Sequence, residues 1–120
     1  MEIKRNTIIW VDLGENKGHI QSGQRPCIVV SCDKANKHAP VYTVIPGTTK
    51  YDKKNLPVHF ELYPEDVRGF LRKKTIFLAE QLCTIDEKQI ICKAGEITNE
   101  DVITQMNKIL VRQLGMDEGK

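Results

Sequence analysis

The chain has 120 residues, with 18 Lys and Arg against 16 Asp and Glu, 40% apolar and 28% charged residues, an amount that fits one compact domain over 1–120 and leaves no room for a separate cofactor domain. Positions 1–60 hold nine basic and five acidic residues and positions 61–120 nine and eleven, so the first half is positive and the second negative; such a division can attract a polyanion, and solvated surfaces show it too. No apolar stretch approaches the roughly 20 residues that span a bilayer, and Met1-Glu2-Ile3-Lys4-Arg5 lacks a following hydrophobic region, so a cytoplasmic protein away from the membrane is expected.

In chain order, Thr7-Ile8-Ile9-Trp10-Val11-Asp12-Leu13 predicts a strand that ends at Gly14. Glu15 to Gln24 carries little apolar content and predicts a long loop. Pro26-Cys27-Ile28-Val29-Val30-Ser31-Cys32 predicts a largely buried strand, with Pro26 acceptable at its first position, which puts Arg25 where loop meets strand. The polar stretch 33–40 is expected to be a turn. Val41-Tyr42-Thr43-Val44-Ile45 follows as a strand that Pro46-Gly47 halts just before Thr48 and Thr49.

Lys50, Lys53 and Lys54 make a basic loop before the alternating run 56–62. Pro64 to Gly69 can form one helical turn, since a leading Pro and adjacent acids suit an N-terminus. Runs 75–79 and 89–92 supply further strands. At the C-terminal end Thr98 to Asp101 offers cap candidates for a helix whose apolar stripe, Val102, Ile103, Met106, Ile109, Leu110 and Leu114, runs until Gly115. Five or six short strands on so small a chain point to a mainly β fold with short helices, a closed or half-closed barrel.

Cys27, Cys32, Cys83 and Cys92 show no CxxC spacing; reduced cysteines inside the core are expected. HExxH, GxxxxGK[ST] and a post-strand GxGxxG are all missing. His19, His38 and His59 never fall on one helical turn and read as solvated or edge residues before they read as ligands or bases. Arg25 is the stronger candidate, because a guanidinium stays charged and offers a fixed fork of donors to a phosphodiester. An ion-paired arginine before a strand is the plainer reading. Thr48 can give a hydroxyl bond to the same phosphate, and is also an ordinary residue after Pro-Gly.

The blocks Gly23-Gln24-Arg25-Pro26, Pro46-Gly47-Thr48-Thr49, Leu56-Pro57-Val58-His59 and above all Leu78 to Asp86 (LAEQLCTID) resemble, in order and spacing, those of the MazF/PemK-type toxin endoribonucleases. Asn6-Thr7 stands where that family commonly has an RG[DE]-like start. The resemblance implies an SH3-like small barrel with a C-terminal helix, a homodimer, a cognate antitoxin with a flexible, often acidic tail, and cleavage of single-stranded RNA or mRNA without metal or cofactor. It implies that Arg25 and Thr48 carry the chemistry, with RNA contacts from Lys17, His19, Gln21, Ser22 and Gln24 in the first loop, from Thr49, Lys50, Lys53, Lys54, Pro57 and His59 around the basic loop, and from Gln81. His59 or Glu80 could assist proton transfer. Two non-nuclease readings stay open on the same barrel: a binding module without catalysis, and a protein-binding topoisomerase poison.

Overall fold

The runs 8–11, 27–30 and 76–79 are apolar at consecutive positions rather than at alternate ones, so their strands must be covered on both faces. The computed structural model, which describes residues 2–38, 40–50, 56–69 and 71–117, shows how. Strands β1 (Thr7–Asp12), β2 (Gln24–Val29), β3 (Val41–Thr48), β4 (His59–Leu62), β5 (Val67–Gly69), β6 (Thr75–Leu78), β7 (Cys83–Asp86) and β8 (Ile90–Ile97) form one antiparallel sheet ordered β4-β6-β3-β2-β1-β8-β5, with β7 also paired to β3. Helices α1 (Asp33–His38) and α2 (Glu100–Gln113) complete it. The mainly β class with a C-terminal helix is as expected.

Strand alternation divides the core in two. Ile8, Ile28 and Ile45 point to one face, where Phe60, Phe77 and the α2 residues Met106 and Ile109 cover them. Ile9, Cys27, Val29 and Val44 point to the other, closed by Ile3, Tyr42 and Ile85. Asn99 caps α2 by accepting from Asp101 N–H at 3.0 Å, and Gly115, at φ 69°, ends it as the sequence predicts. Leu114 does not join the packed stripe; it is 57% exposed.

Several boundaries differ from expectation. Residues 33–38 form α1 rather than a turn, with Asp33 in its first turn and Lys37 and His38 in its last, the arrangement that suits the helix dipole. Pro64–Asp66 is a single 3₁₀ turn, and Val67–Gly69 continues as a short strand against β8. Residues 83–86 form a strand that their short run conceals in the sequence. Cys32 and Cys92 are exposed, Cys27 is buried and Cys83 packs half-buried against the core; all four are free.

Pro46-Gly47 does not halt β3. The strand pairs with β7 through Val41 to Val44 and with β6 through Gly47 and Thr48, so Pro46, which has no N–H to give, sits where that edge changes partner. Gly47 has a steric reason: a Cβ there would stand 2.7 Å from Phe77 Cε1 and 2.8 Å from Thr75 Cγ2. Asn6 adopts φ 74°, a left-handed conformation that glycine and asparagine tolerate, which accounts for Asn where the RG[DE]-like pattern carries glycine.

Candidate functional site

β2 pairs antiparallel with β3, Cys27 opposite Pro46 and Ile28 opposite Ile45. Carried two residues further, this register sets Arg25 across from Thr48. Both are half-buried, and alternation places Arg25 on the same face of β2 as Cys27. Burial pushes the Cys27 thiol up to about 12, neighbouring Cys83 adds to the rise, and the Arg25 guanidinium opposes it.

Arg25 is aimed by a main-chain bond: its Nε donates to the Ser22 carbonyl at 2.8 Å. Its two terminal amino groups make no hydrogen bond among the described residues and can donate to an anion. Thr48 Oγ1 accepts from Lys50 N–H at 3.1 Å, which leaves its own proton to donate outward. Two groups that can bind phosphate oxygens therefore stand at neighbouring strand ends.

They border a cavity of about 590 Å³, within the range of about 300–1,000 Å³ typical of small-ligand clefts. Among the described residues four cations line it, Arg25, Lys50, Arg72 and Lys73, and no carboxylate does. Its apolar lining comes from Ile8, Trp10, Pro26, Leu71 and Ala94, its hydroxyls from Thr48, Thr49 and Thr75. Such a surface favours a polyanion with planar or apolar parts. Trp10, 38% exposed, offers a ring to stack upon.

Of the residues expected at the site, Gln24, Arg25, Thr48, Thr49 and Lys50 line this cavity. Lys17, His19, Gln21 and Ser22 belong to the β1–β2 loop, which is stitched internally: Gly23 N–H donates to Gly14 O at 2.8 Å, Asn16 N–H to Ser22 Oγ at 2.8 Å and Asn16 Nδ2 to Gln21 O at 2.7 Å. Gln81 reaches the loop from far along the chain, its Oε1 accepting from Gln21 N–H at 3.2 Å and its Nε2 donating to His19 O at 2.9 Å. Gln21 and Gln81 share a second crevice of about 230 Å³ with Leu13, Asn16 and Gln89. Lys53 and Lys54 lie outside the described residues.

Pro57 and His59 are not among the residues lining either cavity. His59 Nδ1 accepts from Leu56 N–H at 3.2 Å and its Nε2 meets Glu80 Oε2 at 2.7 Å, while Arg112 holds the Pro57 carbonyl at 2.9 Å. Trp10, Arg72 and Lys73 join the site without having been expected there. The signal in the sequence is Arg72-Lys73-Lys74 directly before the apolar run of β6.

Among the described residues no group of three or more His, Cys, Asp or Glu is placed to hold a metal ion, and no helix is long and apolar enough to cross a membrane.

A family model described as "PemK-like, MazF-like toxin of type II toxin-antitoxin system" matches residues 4–114. Among solved structures, MazF (Form-I) from Deinococcus radiodurans is 22% identical with a TM-score of 0.76, over 97% of this chain and 99% of that one. An endoribonuclease from a Mycobacterial species is 19% identical with a TM-score of 0.74, over 96% and 93%. An endoribonuclease in complex with its cognate antitoxin, also Mycobacterial, is 21% identical with a TM-score of 0.72, over 95% and 94%. At these identities the likeness establishes a shared fold.

Proposed function

Because this chain belongs to the PemK-like, MazF-like toxins of type II toxin-antitoxin systems, we propose that it is an endoribonuclease that cuts single-stranded RNA, mRNA included, at short preferred sequences. The observation that carries this reading is the cavity bordered by Arg25 and Thr48, lined among the described residues by four cations and no carboxylate.

The chemistry needs little from the protein, because RNA brings its own nucleophile. The 2′-hydroxyl attacks the adjacent phosphorus, the bond from phosphorus to the 5′-oxygen breaks, and the products are a 2′,3′-cyclic phosphate and a 5′-hydroxyl. Arg25 neutralises the charge that grows on the phosphorane, through the terminal amino groups that its Nε bond to Ser22 leaves free. Thr48 donates to a non-bridging oxygen. Neither has an ordinary pKa near 7, so both act by electrostatic positioning rather than as free bases. No cofactor or metal enters this scheme.

The partners follow from the same reading. Solved relatives include an endoribonuclease with its cognate antitoxin, and an acidic antitoxin tail would compete with RNA for the cationic rim; a homodimer would extend the groove across two copies. The test is to incubate the purified chain, with and without EDTA, with mixed-sequence single-stranded RNA and matching DNA, and to map the ends. RNA cut to 5′-hydroxyl ends under both conditions, with DNA intact, is the expected result. Intact RNA in the presence of folded, antitoxin-free protein would instead identify a binding module without catalysis.

A further inference from the structure

The β1–β2 loop, residues 14–23, is mostly exposed; only Gln21 and Ser22 are half-buried. Among the described residues, its hydrogen bonds run within the loop, to Leu13 and Asp12 at its base, and to Arg25, with one exception. Gln81, some 60 residues away, holds it by both ends of one carboxamide, at the carbonyl of 19 and the N–H of 21. Among the described residues Gln21's own Oε1 is buried without a partner. The next residue, Ser22, presents the carbonyl that aims Arg25.

We propose that Gln81 is a positioning residue for RNA cleavage, fixing the loop so that the Ser22 carbonyl holds the Arg25 guanidinium at the scissile phosphate. The proposal rests on the ribonuclease reading above. Each end of the Gln81 amide is engaged by main chain, which ties it to the loop and gives it a route to Arg25. A displacement of about 1 Å at a charged group can cost roughly a hundredfold in rate, and an exposed loop released from this distant anchor can move that far.

The test compares Q81A with wild type on an RNA oligonucleotide carrying the mapped cleavage site, in two backgrounds. With Arg25 present, kcat should fall by about a hundredfold while KM moves less than about threefold, the mark of an interaction realised in the transition state. In an R25K background the Nε bond to Ser22 is already gone, so Q81A should cost nothing further. Amide hydrogen exchange at 19–23 should quicken in Q81A, and Q81E, which keeps the acceptor for Gln21 N–H and loses the donor for His19 O, should fall between. An equal loss of activity in both backgrounds overturns the proposal, as does a changed cleavage sequence at unchanged kcat, which would make Gln81 a direct base contact. Wild-type protein that leaves RNA uncut overturns the ribonuclease reading itself, and the proposal with it.

Discussion

His59 Nε2 lies 2.7 Å from Glu80 Oε2, with the imidazole 13% and the carboxylate 28% exposed. Since Nδ1 accepts from Leu56 N–H, the proton resides on Nε2 and is given to Glu80. Both ring nitrogens are thereby occupied with fixing the turn that leads into β4. Glu80→Ala should destabilise the fold by about 1–3 kcal/mol by leaving a half-buried donor unpaired, and Glu80→Gln by less, because a carboxamide oxygen still accepts. Urea unfolding gives the magnitudes, and imidazole ¹⁵N shifts showing the Nε2–H tautomer check the geometry. An Nδ1–H tautomer would contradict it.

Arg25→Ala should keep the secondary structure and assembly of the wild type and lower cleavage by at least about a hundred- to a thousandfold, the usual cost of removing a donor from a developing oxyanion. Thr48→Ala should cost less. Cleavage rates on one RNA, with circular dichroism and sedimentation as controls, decide it; full activity in folded Arg25→Ala would remove Arg25 from the chemistry.

Arg72 and Lys73 share the cavity with Arg25 but stand on the segment before β6. Their contribution should be to affinity rather than turnover. Replacing each by Gln should weaken binding of a non-cleavable 2′-deoxy oligonucleotide and lower the steepness of log K against log salt by about 0.7 for each phosphate that is no longer neutralised. A salt dependence identical to that of the wild type would place the nucleic acid elsewhere.

The cysteines should separate cleanly by environment. Exposed Cys32 and Cys92 should react with a thiol reagent in the native protein at pH 8, whereas Cys27, buried and with its thiol pushed up to about 12, should react only on unfolding. Burial raises Cys83 as well. The sign of the linkage follows: between about pH 9 and 12 the unfolded chain loses the Cys27 proton that the folded chain retains. This contribution is complete below about pH 9 and disappears as pH climbs toward about 12. Urea midpoints across that interval, compared with Cys27→Ala, measure it; a difference that widens in favour of the wild type as pH rises would refute the assignment.

Particular residues show where a linear reading succeeds. Asn99 and Gly115 carry their helix signals in a few neighbouring positions, and the apolar runs of β1 to β3 announce two-sided burial directly. Pro and Gly mark the strand ends that carry Arg25 and Thr48, and the structure brings both residues to one cavity. The misses share a different cause. Pro46-Gly47 looks like a stop because nothing local reveals that β3 trades β7 for β6 at that point. Arg72 and Lys73 carry no local mark of the site because only the β3–β6 pairing brings them near Thr48. Gln81's bonds to 19 and 21 span too much sequence for any periodicity to foretell, and α1 is too short to leave a helical pattern.

The order of strands in the sheet also governs when the cavity bordered by Arg25 and Thr48 is assembled. β1 lies between β2 and β8, its register running from Thr7 opposite Glu96 to Val11 opposite Ile90, while Thr48 is paired with Ile76. A growing chain that has already emitted Arg25 and Thr48 still lacks the strands that brace both, and Gln81 with them. A ribosome making this protein therefore releases Arg25 and Thr48 well before β6 and β8, so the arrangement that brings the two to one cavity forms only late in synthesis.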